Sequence, residues 1–278
     1  MPSSFSTETA LVADPAVAGR FATVLSGDWN APVYTHGGIT TALAVRAMQQ
    51  QFEQPLRSVH TLFVSPVPPG PVTVDVTVLR RGRSVSQAVA TLRTEAGTGL
   101  VATAAFGDDR PGFEFTDLVA PEVAPPEHCR SFEEISAAKG FELAPLWQQL
   151  DGRTTRGRAD REPQVPPSSE QVFWYRFRQS PRDADGVLDP AALLVIADLM
   201  AGAIGEYLGD EVARWLAPSV EMTVRLLEPV RGEWILSRIR AHRSGHGYVS
   251  LENQLWDPET GTLVAHGTQL AFYSFPDS

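Results

Sequence analysis

The stretch from Pro190 to Ile204 is apolar at almost every position, yet it carries an acid, Asp198, its only ionisable residue before Glu206. A buried carboxylate must be hydrogen-bonded, protonated or set at a wet cleft, because burying it unpaired is costly. On an exposed helical stripe Asp198 would do no chemistry. In an apolar pocket its pKa rises toward neutrality, which suits a general base or a nucleophile. Gln269 poses a similar problem within the apolar run Leu263 to Tyr273, where its amide needs partners at both ends. Ser219 opens a strand-like run shared with Val220, Met222 and Val224. Serine is common at such a start, but beside Asp198 and Gln269 it makes a third polar group around one water. Far away in the chain, His36-Gly37-Gly38 precedes a second apolar helical run. Glycines at a helix start bare backbone N–H groups where the helix dipole favours developing negative charge, as an oxyanion hole requires. A turn needed only for tight packing, with His36 capping locally, accounts for the same residues.

These groups belong to two copies of one pattern. Ser58-Val59-His60 opens a β-like run, followed by Arg80 to Val85 and then Gly99 to Phe106; Ser219-Val220-Glu221 opens another, followed by Arg243 to Tyr248 and then Gly261 to Gln269. The span is nearly kept, 48 residues from Ser58 to Phe106 against 50 from Ser219 to Gln269. Each copy has lost what the other retains. Aligning Pro190 with His36 sets Asp198 on Ala44, and Gln269 falls on Phe106. One composite site between the copies follows from that complementarity.

The elements that position these residues repeat as well. In the first copy, a strand at 20–26 and a break at Gly27 to Pro32 lead to a helix over 39–50 and strands at 57–65, 71–81, 84–94 and 99–107. In the second, a strand at 173–178 precedes one helix from Leu188 to Leu208, with Asp189 as N-cap and Pro190 at its first position. Strands at 217–228, 232–242, 247–256 and 262–275 follow. A helix apolar nearly all round wants burial on all sides, and a curved antiparallel sheet provides it. The expected fold is α+β, a double hotdog: residues 1–107 as one hotdog, 108–170 as connector and 171–278 as the second. The Pro-rich connector contains a helix from Ser131 to Gly140 and an Arg-rich segment, Arg153 to Arg161, read as mobile.

Composition narrows the functions. A net charge of −10 argues against general nucleic-acid binding. No apolar run approaches the roughly 20 residues of a membrane helix, the N-terminus lacks the signature of a signal peptide, and a lone cysteine, Cys129, excludes an internal disulfide. A soluble, cytoplasmic protein without a membrane partner is the expectation. The six histidines show no metal-ligand spacing, and neither a nucleophile elbow nor a phosphate or dinucleotide loop occurs, so neither metal nor cofactor is expected. Arg80, Arg81, Arg83, Arg240 and Arg243 lie near turns, as solvated surface or as holders of substrate phosphates.

The residues quoted from both copies resemble the acyl-CoA thioesterase II family of double-hotdog enzymes, over about 20–107 and 171–275. The first repeat is carried by Ser58 to Pro66 and Leu79 to Ser84. The resemblance makes Asp198 the catalytic aspartate and Gln269 the partner glutamine. Ser219 takes a position where the family commonly has threonine, and Glu221-Met222 one where Asp-His is frequent, a departure that bears on substrate preference. His36-Gly37-Gly38 is similar to the entrance of single-hotdog thioesterases, where that turn and the acid come from opposite subunits. The implied activity is hydrolysis of acyl-CoA in fatty acid metabolism. Asp198, Ser219 and Gln269 would activate water, the His36-Gly37-Gly38 turn would stabilise the oxyanion, and an apolar groove between the two helices would hold the acyl chain. Hotdog sheets often pair further, so a homo-oligomer is a further expectation. Leu25 to Pro32 resembles the motif of hotdog enoyl-CoA hydratases, but Asp28 and His36 stand too far apart in sequence to match it well. A hydratase and a non-catalytic acyl-CoA-binding protein are the alternatives.

Overall fold

The computed structural model describes residues 3–156, 168–208 and 215–275. After a short helix α1 (Phe5–Glu8) come strands β1 (Val12–Ala13) and β2 (Arg20–Leu25), helix α2 (Gly37–Gln49), and strands β3 (Leu56–Phe63), β4 (Gly70–Arg80), β5 (Val85–Thr94) and β6 (Gly97–Gly107). The connector adds β7 (Arg130–Ser131), α3 (Phe132–Lys139) and β8 (Leu150–Arg156). The second copy consists of β9 (Glu170–Phe177), α4 (Leu193–Ala197), α5 (Gly202–Leu208), β10 (Ser219–Leu226), β11 (Ile235–Gly245), β12 (Tyr248–Asp257) and β13 (Thr262–Phe272). Helix α3, within the span expected from Ser131 to Gly140, has a capping box at Ser131 and a left-handed Gly140 at its end. The Arg-rich segment departs from its expectation: its first residues continue the paired strand β8, and 157–161 lie outside the described residues.

All described strands join one antiparallel sheet, in the order β1-β2-β4-β5-β6-β3-β10-β13-β12-β11-β9-β8-β7. The order β2-β4-β5-β6-β3 reads outward to inward as β9-β11-β12-β13-β10 does from the other side, so the two halves are pseudo-symmetric. They meet where β3 pairs with β10, with Val59 opposite Val224. Val59 also pairs with Ala104, and Val224 with Gly267. Alternating residues of each strand point inward, as Ser86, Ala88, Ala90 and Leu92 do on β5. They wrap α2, whose Ala42, Ala44 and Ala47 let the sheet approach closely. One continuous core runs through both halves. On the outer face of the second half, the connector covers Val172, Trp174, Leu236 and Trp256, with Cys129 buried among them.

The second helix departs from expectation. It does not run unbroken from Leu188 to Leu208; a tight turn at Pro190–Ala192 leads into α4, the helix stops at Asp198, and α5 begins only at Gly202. Across the interruption the hydrogen bonds tighten: Leu199 N–H donates to Ile196 O (3.3 Å) and Gly202 N–H to Leu199 O (3.2 Å), three residues back rather than four. By length and apolarity Pro190–Leu208 could cross a membrane, but 67% of its most apolar window is buried inside this fold.

The caps align the two helices. His36 accepts from the N–H of Gly38, and Asp189 from the N–H of Ala191, each two residues on. His36 therefore corresponds to Asp189, one residue from the sequence alignment, and Asp198 corresponds to Val45 rather than Ala44. Asp189 also pairs with Arg46 of α2, and the Arg46 guanidinium lies over the Phe5 ring, 5.8 Å from its centroid. Replacing Asp189 with Ala removes the cap and this partner; the expected loss is about 1 kcal/mol in urea unfolding.

Candidate active site

The structure brings Asp198, Ser219 and Gln269 together. Gln269 points inward from β13, and its Nε2 donates to Asp198 Oδ1 (2.6 Å) and to Ser219 Oγ (2.7 Å). Ser219 Oγ donates in turn to the same Oδ1 at 3.4 Å. One carboxylate oxygen thus receives both neighbours. The other, Oδ2, faces the first half of the chain, 3.6 Å from His36 Nε2.

A β-bulge places the serine. Met222 and Val224 point inward on β10, so strict alternation would turn residue 219 outward. The pairing slips between Ser219 and Glu221, where Ser219 opposes Ala271 while Glu221 opposes Leu270. That extra residue re-aims the hydroxyl toward Asp198. Glu221 points the other way, its Oε2 3.6 Å from His60 Nδ1 on the outer face.

Burial dominates the electrostatics. It raises the Asp198 pKa above the usual carboxylate value, against the lowering effects of His36, the Gln269 amide, the Gly38 N–H and the Ser219 hydroxyl. Burial also lowers the His36 pKa, more strongly than nearby Asp198 raises it. Because His36 Nδ1 accepts from the Gly38 N–H (3.3 Å), its hydrogen sits on Nε2, directed at the carboxylate. The pair is a neutral imidazole facing an acid that ionises late.

The two glycines do different things. A Cβ on Gly38 would lie 2.5 Å from Leu194 O and 2.6 Å from Val195 Cα, so Gly38 lets α2 cross α4 backbone against backbone. The apolar groove expected between the helices is closed at this crossing by that contact. A Cβ on Gly37 would instead lie 2.5 Å from Asp198 Oδ2 and 2.8 Å from the Phe63 ring. Gly37 is the first residue of α2, where an N–H has no acceptor within its own helix. The turn therefore packs the helices through Gly38, whose N–H also bears on the Asp198 carboxylate, and sets the backbone of Gly37 beside the same carboxylate. Phe63, at the end of β3, is a neighbour that sequence reasoning missed. Asp28 is held by the N-terminal segment, its Oδ2 accepting from the Ser3 N–H at 2.7 Å.

Residues 25–107 match the model of the acyl-CoA thioesterase N-terminal domain, and residues 126–273 that of the C-terminal domain. The chain belongs to the acyl-CoA thioesterase family and is a thioester hydrolase. Among solved structures it is similar to a hot dog fold protein of unknown function from Alicyclobacillus acidocaldarius, at 24% identity and a TM-score of 0.82, covering 98% of each chain. It is similar too to the acyl-CoA thioesterase II TesB2 from Mycobacterium marinum, at 17% identity and a TM-score of 0.77, covering 98% of this chain and 99% of that one. A tesB protein from Mycobacterium avium subsp. paratuberculosis matches at 20% identity and a TM-score of 0.75, covering 97% and 98%. No curated protein sequence matches the chain.

Alanine at the two glycines separates their roles. Gly38→Ala forces the helix crossing apart and is expected to cost about 1–3 kcal/mol of stability, read by thermal or urea unfolding. Gly37→Ala meets side chains that can shift, so the fold survives. It displaces the carboxylate, with an expected loss of roughly 100-fold in thioester turnover.

Proposed function

We propose that this enzyme hydrolyses acyl-CoA thioesters by general-base activation of water at Asp198. The observation that carries the reading is the asymmetric carboxylate. Ser219 and Gln269 both bind Oδ1, which leaves Oδ2 directed at the Gly37-His36 turn. A water on Oδ2 would be deprotonated as it attacks the thioester carbonyl. The Gly37 N–H, at the positive end of α2, would stabilise the oxyanion. Thiolate is a good leaving group, so no strong general acid is required. The family supports the substrate class; the acyl chain that fits best is a matter for a substrate panel.

Asp198→Asn keeps the shape and removes the base. Thiol release from acyl-CoA is expected to fall at least about 100-fold with the fold intact; full turnover in this variant would refute the assignment. A profile of kcat/KM against pH should lose activity as pH falls through the raised pKa of Asp198, above the usual value of about 3.9 for aspartate.

Stability should move in the opposite sense. Folded Asp198 holds its proton to higher pH than the unfolded chain does. Wild-type stability is therefore lost as pH rises from the ordinary aspartate pKa to the raised one, and the penalty persists above that. Asp198→Asn escapes it, so its Tm advantage over wild type should be absent in acid and present at neutral pH.

A further inference from the structure

Asn253 and Ser237 are fully buried in the sheet beneath the second helix. Asn253 lies on β12, with Ile239 and Gly267 as its ladder partners; Ser237 lies diagonally from it on β11. The Ser237 hydroxyl donates to Asn253 Oδ1 at 2.8 Å. A backbone carbonyl can only accept, so the amide turns Nδ2 toward the helix and leaves Oδ1 to be held by the Ser237 hydroxyl. Nδ2 donates to Ile196 O at 3.0 Å and lies 3.5 Å from Ala197 O. These are the last carbonyls of α4, immediately before Asp198. A continuing helix would satisfy them with N–H groups four residues on; here Ile196 O keeps only the tightened bond from the Leu199 N–H (3.3 Å), and a side chain on the sheet supplies a second donor.

The neighbouring strand is cut to the same contact. A Cβ on Gly267, opposite Asn253, would lie 2.7 Å from Met200 Cε and 3.7 Å from Ala197 Cβ. Two residues further along the same face of β13 is Gln269, whose amide holds the Asp198 carboxylate. The sheet thus grips Asp198 at two points, through its side chain at Gln269 and through the backbone before it at Asn253.

Taking Asp198 as the base proposed above, we infer that Asn253, oriented by Ser237, is a positioning residue for catalysis. It holds the helix interruption that turns the Asp198 carboxylate toward Gly37. It is fully buried, so its loss should misplace the base and leave binding alone.

The test uses the full-length enzyme, thiol release from one acyl-CoA, and the variants Ser237→Ala, Ser237→Thr, Asn253→Ala and Asp198→Asn. Ser237→Ala is expected to lower kcat about tenfold, and Asn253→Ala about 100-fold, with KM within about twofold. The acid limb of the pH profile should shift in both, since Asp198 no longer sits in the same surroundings. Ser237→Thr keeps the hydroxyl and should restore rate and pH profile. If Asn253→Ala does not fold, Ser237→Ala and Ser237→Thr decide. Lower Tm with unchanged kcat and pH profile in Ser237→Ala would make the pair merely structural and overturn the inference. Full activity in Asp198→Asn would bring down the parent reading instead; a dead Asp198→Asn beside an unaffected Ser237→Ala defeats this inference alone.

Discussion

A carboxylate buried where a helix stops is the constraint around which the rest of this molecule is arranged. Asp198 lies between two helices and a sheet, and burial alone would drive it to stay protonated. Every neighbour bears on that problem. Gln269 and Ser219 supply donors to one oxygen, and His36 presents its neutral Nε2–H to the other side. The helix itself must end there, so the backbone groups it abandons need partners from the sheet. Stability would favour an apolar residue at this position; an acid stands there against that preference.

The two halves of the sheet show how the asymmetry arose on a symmetric frame. The sequence repeat sets Gln269 against Phe106, fully buried and packed on Phe52 with ring centroids 5.0 Å apart. At the position matching His36 stands Asp189, paired with Arg46. Phe5 closes that side, packed edge-on against Trp29 of the first half and Phe177 of the second, both at 6.1 Å. Where one half-interface keeps a donor-lined carboxylate, its mirror image has become aromatic packing around an ion pair.

Much of this was legible because the residues broke local rules. An acid in an apolar helix and a glutamine where the other copy has phenylalanine are conflicts that only tertiary partners resolve. Strand positions followed from alternation and turn residues. The interruption of the second helix was not legible. Residues 195–201 contain no proline, and the side chain that donates to the carbonyls at the break is Asn253, more than fifty positions away. The bulge that re-aims Ser219 was hidden for a similar reason, since Val220, Met222 and Val224 read as plain alternation. His36-Gly37-Gly38 was ambiguous between packing and chemistry; a Cβ would meet the α4 backbone at Gly38 and the Asp198 carboxylate at Gly37, which no sequence pattern displays.

The pairing of β3 with β10 joins the halves that furnish the two sides of the site. Were the halves separate polypeptides, their union would weaken on dilution and the candidate site would come apart with it. Joined in one chain, each half meets the other at a fixed effective concentration set by the intervening segment. The centre assembles once, during folding, and its integrity is then independent of how much enzyme is present. Covalent linkage also frees each half to specialise, because no copy must serve on both sides of a twofold axis.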